Sequence, residues 1–358
     1  MRFKYENYII ESECNKMKNL RKAITLVIVA AMGAVLLSGC ASKPSTEAAA
    51  SASPGTKKIK IAIIQPMSHS SLDQIRDTIV SELKASGRDI EIDTQNANGD
   101  TSALATIMQK EKSDGADIIV PIATGAAQSA KSAFEGSDTP IVFASVSDPV
   151  AAGMTGSDCK NITGVSNKIP SDEIIKLIAN FQPNYKKIGF LYTASETNSV
   201  SAIKSAKKYC DDNGIAYEEA TIAAASDIQA AVNSLASKGV DALYTGNDNT
   251  IAAAMPTYID AAYSKNIPVY CGADSMVADG GFATTGINYV TLGKQVAAMI
   301  LKVADGTAPT EIPYETMSEY AKYVNLQAAD RLGLKLTDTM LTGYSVLVEK
   351  DGTSHFGK

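Results

Sequence analysis

The chain is 358 residues long, 45% hydrophobic and 20% charged, which suits two globular domains of ordinary size. It holds 33 basic and 39 acidic residues; setting residues 1–39 aside, with six basic and three acidic, leaves 27 against 36, a balance of −9. Arg76, Arg88 and Arg331 are then the only arginines, so the sequence carries no nucleic-acid footprint and no nucleic-acid partner is expected.

Lys18, Arg21 and Lys22 precede "AITLVIVAAMGAVLL" (23–37), an uncharged run of signal-peptide length. It ends in Leu37-Ser38-Gly39-Cys40, the pattern of a bacterial lipobox, in which Cys40 is lipidated and becomes the mature N-terminus. The other reading is a short membrane helix with a chance cysteine, and the run is short for a span. Met17 gives the basic and apolar regions ordinary proportions and is the expected start, with 1–39 as signal segment. The Ala/Ser/Thr/Pro-rich stretch after Cys40 lacks apolar periodicity and reads as a flexible tether over 40–56. The folded body is expected from Lys57, held by lipid on the extracytoplasmic side of a bacterial membrane.

That body contains a repeat. "KKIKIAIIQPMSHSSLDQIRDTIVSELKASG" (57–87) and "YKKIGFLYTASETNSVSAIKSAKKYCDDNG" (185–214) each read as a strand of β-formers, a polar loop and an amphipathic helix stopped by glycine. A second strand and helix follow in each half. "GADIIVPIATGAAQSA" (115–130) then aligns without a gap on "GVDALYTGNDNTIAAA" (239–254), and "DTPIVFASVSDP" (138–149) on "NIPVYCGADSMV" (266–277). Strand and helix alternate throughout, which predicts an α/β fold of two similar doubly wound parallel-sheet lobes with a cleft between them. In open α/β sheets the ligand sits outside the carboxyl ends of the strands. The six loops at those ends are 65–71, 123–128 and 144–149 in the first half and 193–199, 245–250 and 272–276 in the second. All are small and polar, and several lead straight into helices whose N–H groups can face an anion. Each alone reads equally well as a polar turn; six in register point to a cleft.

Through "PIATGAAQSA", "TPIVFASVSDPVAAGM", "NITGVSN", "SETNSV", "DNTI" and "KYVNLQAADRLGL" the chain, over about 57–334, resembles the substrate-binding lipoproteins of ABC transporters of the tryptophan/tyrosine type, which have the periplasmic-binding-protein type I fold. It departs from the family pattern at "ATGAA", where Ala-Thr-Pro-Ala-Ala is common, and at "CGADSM", which bears on the ligand's side chain. The resemblance implies a free amino acid ligand, aromatic (tyrosine, tryptophan or phenylalanine), an ABC permease as membrane partner, and a monomer. It also implies a three-segment hinge crossing near 165–167, 287–289 and 315–317. Lobe one is then 57–165 plus 288–315, and lobe two 166–287 plus 316–358.

A zwitterion buried on lobe closure needs an acceptor for its ammonium and donors for its carboxylate. Asp274 and Asp248 are the expected ammonium partners, with Asn249 beside them and Glu196 as a further acid. An Asx-turn is the other reading of Asp274. No arginine lies in the six loops, so the carboxylate is expected on Thr124, on the backbone of Gly125 and Ala126, and on Ser145, Ser147, Asn198 and Ser199. In the first loop Ser68 and His69 face the ligand, the imidazole donating to a carboxylate or phenol or stacking on a ring, or else lying in solvent. Leu72, Phe143, Tyr192, Tyr270, Phe282 and Tyr289 are candidates for an apolar wall, most of them equally readable as core.

Catalysis and cofactors are not expected. The two histidines, His69 and His355, have no metal-site spacing, and neither a G-x-S-x-G elbow, a P-loop nor a G-x-G-x-x-G turn occurs. Cys159, Cys210 and Cys271 read as buried free thiols, with one disulfide as the alternative. A sugar or nucleoside ligand is the rival within the same fold, against which the absence of tryptophan argues mildly; a surface adhesin is the rival outside it. The tail, "TDTMLTGYSVLVEKDGTSHFGK", adds a β-forming run of unassigned purpose.

Overall fold

The structure is a computed structural model, described here over residues 58–357; the expected signal segment, lipidation at Cys40 and tether lie outside these residues. In chain order the elements are β1 (Ile59–Gln65), α1 (Ser70–Ala85), β2 (Ile90–Asn96), α2 (Thr101–Ser113), β3 (Ile118–Pro121), α3 (Thr124–Ala133), β4 (Ile141–Ala144) and β5 (Ile162–Ser166). Then follow α4 (Ser171–Phe181), β6 (Lys187–Thr193), α5 (Thr197–Asn213), β7 (Ala216–Ile222), α6 (Ile228–Ser237), β8 (Ala242–Thr245), the single turn α7 (Asn249–Ala252) and α8 (Met255–Tyr263). The chain ends with β9 (Val269–Cys271), α9 (Asp274–Ala278), β10 (Ala283–Gly286), α10 (Tyr289–Ala304), β11 (Glu315–Thr316), β12 (Ala321–Asn325), α11 (Leu326–Arg331), α12 (Asp338–Leu341) and β13 (Tyr344–Val348).

These elements form two sheets. One has six strands in the order β11-β5-β4-β3-β1-β2, the other seven in the order β13-β12-β10-β9-β8-β6-β7. Every pairing is parallel except β10 with β12. The central strands β3 (IIVP), β4 (IVFA) and β8 (ALYT) are buried at every position, as strands covered by helices on both faces must be. The edge strands β2 and β7 are partly exposed and correspondingly polar. Leu72, Ile75, Ile79 and Leu83 recur every three or four residues along α1 and form its buried stripe. Gly214 closes α5 at φ +65°, a left-handed conformation that stops a helix with no Cβ strain. The tail's β-forming run is β13, which pairs parallel to β12 at the edge of the second sheet.

The chain passes between the sheets three times: after β5, between β10 and α10, and after β11. α10 packs against α1 of the first lobe, and β12 returns to the second. This is the doubly wound, two-lobed architecture read from the repeat. The three cysteines of this region are free and buried, and burial pushes the Cys210 thiol up to about 11. Among the described residues no helix is long and apolar enough to cross a membrane.

Candidate functional site

The carboxyl ends of both sheets face one small cavity of about 20 Å³, room for roughly one water as the lobes stand. From the first lobe it is lined by His69, Ser71, Leu72, Ala123, Thr124, Ser145 and Ser147. From the second come Asn198, Asn247, Asp248, Asn249, Ala252, Ala273 and Met276, while Asn167 and Tyr289 lie at two of the crossings. The lobes are in contact around it. Asn247 Nδ2 donates to Ser147 Oγ at 2.6 Å, His69 Nε2 lies 3.2 Å from Asn249 Oδ1, Ser70 Oγ donates to Asp279 Oδ2 at 2.9 Å, and the Ser71 and Ser275 hydroxyls meet. Gly272 permits the β8 and β9 loops to touch, since a Cβ there would fall 2.5 Å from the Asn247 nitrogen.

The first-lobe wall is strained and open. Ala123 is the N-cap of α3 with φ +74° and ψ 159°, and no side chain caps the helix. Ser145, at the end of the neighbouring strand, has φ +65°. Non-glycine residues tolerate such backbone at a cost of order 1–3 kcal/mol, and such strain gathers at functional sites. The result directs the uncapped first turn of a ten-residue helix, with the Thr124 hydroxyl, at the cavity.

In the second-lobe wall the carboxylate is satisfied within its own lobe. Asp248 is fully buried; its carboxylate accepts from Thr193 N (2.6 Å), Thr193 Oγ1 (2.9 Å) and Ile251 N (2.9 Å), and so caps α7. Burial pushes its pKa up to about 6, with the nearby Glu196 charge adding to the rise. Asn247 holds its amide by donating to Ser147, which in turn donates to Asn167 Oδ1 at 3.0 Å. Three buried cavity atoms have no partner in the protein: His69 Nδ1, Thr124 Oγ1 and Asn247 Oδ1. Burial also lowers the His69 pKa, against smaller opposing effects from the Asn249 hydrogen bond and the Glu196 and Asp73 charges. Asp248 is the one carboxylate in the cavity wall, and neither lysine nor arginine lines it.

Of the residues expected at the ligand, His69, Leu72, Thr124, Ser145, Ser147, Asn198, Asp248 and Asn249 line the cavity. Ser68 is exposed and receives the Asn96 amide at 2.7 Å. Gly125 is exposed and Ala126 faces the core beneath α3. Ser199 is buried behind the wall, its hydroxyl 3.4 Å from the Asn198 amide. Glu196 accepts from Asn249 N and Nδ2, Thr250 N and Oγ1, and Asn198 Nδ2, which makes it the fastener of α7 rather than a free acid. Asp274 lies between two lining residues, Ala273 and Met276, without lining the cavity itself; it takes the Ser275 N–H at 2.8 Å, and burial pushes it to about 7.

Among the aromatic candidates only Tyr289 reaches the cavity. Phe143, Tyr270 and Phe282 are core, and the Tyr192 hydroxyl bonds Glu219. Ser71, Ala123, Asn167, Asn247, Ala252, Ala273 and Met276 also line the cavity without having been singled out in the sequence. Asn247 stands beside Asp248 in the same polar loop, Ser71 adjoins Leu72, and Met276 is two residues from Asp274. His355 lies near the C-terminus with Glu349 (3.2 Å). Among the described residues no group of three or more His, Cys, Asp or Glu side chains is placed to hold a metal.

Comparison with known proteins bears on the family and the fold. The family described as ABC transporter substrate binding protein matches residues 60–345. A tyrosine-binding protein of Clostridioides difficile (strain R20291) is 32% identical over 314 residues, 85% of this chain and 90% of that one. An ABC domain from Streptococcus pneumonia, solved in complex with L-Trp, is 33% identical and superposes with a TM-score of 0.76, covering 81% of this chain and 99% of its own. The ligand-free, open structure of a substrate-binding protein with adhesive properties from Clostridium difficile, also 33% identical, gives 0.61 with 80% and 98% covered. With its family match over most of the body and its two lobes of periplasmic-binding-protein type I fold, the chain belongs to the ABC transporter substrate-binding proteins.

Proposed function

We propose that this protein is the extracytoplasmic receptor of an ABC importer, anchored by lipid on Cys40, and that it captures one free aromatic amino acid by closing its lobes. The observation that carries this reading is the convergence of three unpartnered buried polar atoms, one from each of three loops, on a cavity walled by one carboxylate and no cation. Unpaired buried polar groups cost roughly 1–3 kcal/mol each, so such a set calls for a ligand of matching pattern. The α-carboxylate takes the Thr124 O–H and the uncapped first turn of α3. The ammonium takes Asn247 Oδ1 and Asp248. Leu72, Ala252, Met276 and Tyr289 surround the side chain. The identity to a tyrosine-binding protein and to a protein solved with L-Trp supports the choice of an aromatic side chain. The hydrogen bonds that cross the cleft are then the closed latch, and the three crossing segments are the hinge.

Thermal unfolding of the purified protein tests the reading. Saturating L-tyrosine, L-tryptophan or L-phenylalanine at about 100 times Kd stabilises by about 2.7 kcal/mol. Stabilisation by ribose-type sugars or nucleosides alone would reject the amino-acid reading. In the same assay Asp274→Ala retains the shift and Asp248→Ala loses it; the opposite result would make Asp274 the ammonium partner.

A further inference from the structure

The cleft is crossed by a relay that fixes a proton on His69. Glu196 receives five N–H or O–H donors, so both its oxygens act as acceptors. The Asn249 amide must therefore turn its Nδ2 toward Glu196, at 2.7 Å. Its carbonyl Oδ1 is left facing the other lobe, 3.2 Å from His69 Nε2. A carbonyl only accepts, so Nε2 carries the hydrogen. In the neutral imidazole that burial favours, Nδ1 is then a bare acceptor. His69 is the N-cap of α1, yet its side chain makes no capping bond, and the buried Nδ1 has no protein partner.

We infer that His69 Nδ1 is the specificity-determining acceptor for a hydrogen-bond donor on the ligand's ring, a phenol O–H or an indole N–H. The inference rests on the amino-acid reading above. Its place in the fold fits that role. Leu72 follows His69 by three residues and Ala252 follows Asn249 by three, so the bridge stands beside apolar lining on both helices. The polar end of the cavity, at Thr124 and Ser145, lies on β3 and β4, one and two strands from β1. Strands are about 4.8 Å apart, so the end of β1, from which the His69 loop springs, is roughly 5–10 Å from the ends of β3 and β4. An apolar pocket with one fixed acceptor penalises a ligand that leaves the acceptor unpaired.

Calorimetric titration of the whole protein with L-tyrosine, L-tryptophan and L-phenylalanine decides it. Wild type should bind L-tyrosine or L-tryptophan at least about tenfold more tightly than L-phenylalanine. In His69→Leu that preference should fall to within about threefold, chiefly by loss of the donor-bearing ligand. Equal wild-type affinities for L-phenylalanine and the better of the other two, or an equal loss for all three in His69→Leu, would overturn the inference while leaving the amino-acid reading intact. Binding of none of the three would reject that reading itself. The ¹⁵N spectrum of His69 needs no variant: the Nε2-protonated tautomer with an unprotonated Nδ1 is expected, and the opposite tautomer would overturn the relay.

Discussion

In the first lobe β3 runs into α3 through Ala123 and Thr124; in the second β8 runs into α7 through Asn247 and Asp248. The two segments align without a gap, which places Thr124 opposite Asp248. The second lobe fills its helix N-terminus with its own side chains, Asp248 from within the loop and Glu196 from the loop after β6. The first lobe leaves its helix N-terminus uncapped and holds it on strained backbone. One copy of the loop thus carries its own capping carboxylate, and the other leaves its helix N-terminus without a side-chain cap, which the proposed function uses as the anion site. A duplicated framework thus differs in polarity at its two loops through a handful of side chains, and under the proposed function these become the two poles that meet a zwitterion.

Removing the negative pole should have the largest effect. Asp248→Ala strips acceptors from Thr193 N, Thr193 Oγ1 and Ile251 N in a fully buried place. Denaturant unfolding should show a loss of about 3 kcal/mol, because buried donors left unpaired retain their full desolvation penalty. Making the two loops alike comes next. Thr124→Asp places a carboxylate at the open helix, where the dipole favours it by roughly 0.3–1 kcal/mol. The folded protein should be as stable as wild type or more so, while amino-acid affinity falls at least about 100-fold through like-charge repulsion. Retained affinity would remove the carboxylate from this end of the cavity.

Proton linkage probes the same polarity. Asp248 at about 6 and Asp274 at about 7 both lie above the usual aspartate value near 3.9. An acid whose pKa is raised by folding holds its proton more tightly in the native state. Its stabilising contribution is complete below the unfolded value and is lost as pH rises through the folded one. Ligand-free protein should therefore gain about 2 kcal/mol from these two groups on going from pH 7.5 to pH 5. The gain is isolated as the difference in pH slope between wild type and Asp248→Asn or Asp274→Asn. Affinity for the ligand should move the other way, falling below about pH 6 as Asp248 loses the charge that pairs with the ammonium.

Much of this was legible in the sequence, for physical reasons. Parallel strands covered on both faces leave unbroken apolar runs, and helices ending at Gly87 or Gly214 announce their stops, so the repeat and its two sheets could be read directly. Polar loops at strand ends narrowed the site to six segments. The orientation of a side chain within a loop could not be read. Glu196 has the composition of an ammonium partner, but the fold lays its loop over α7, where five donors claim it. Most of the aromatic candidates sit within strands, and position within a strand does not reveal which residue reaches the carboxyl edge. Tyr289 does so because it begins a helix at a crossing.

Ala123 shows the same limit at one residue and supplies the smallest of these effects. The sequence puts glycine at position 125, where the helix has already begun, and alanine at 123, where φ is +74° and ψ 159°. That region is essentially reserved for glycine, and an alanine in it carries roughly 1–3 kcal/mol of strain. Ala123→Gly removes the strain but adds about 0.5–1 kcal/mol of unfolded-chain freedom. The net expectation is a more stable ligand-free protein, by about 1 kcal/mol in denaturant unfolding. Affinity should move in the opposite direction by a few fold, because a glycine leaves the first turn of α3 free to sample orientations in which its N–H groups miss the carboxylate. If stability and affinity rise together, the strained alanine is not what aims the helix, and the contrast with the side-chain-capped loop of the second lobe loses its functional meaning.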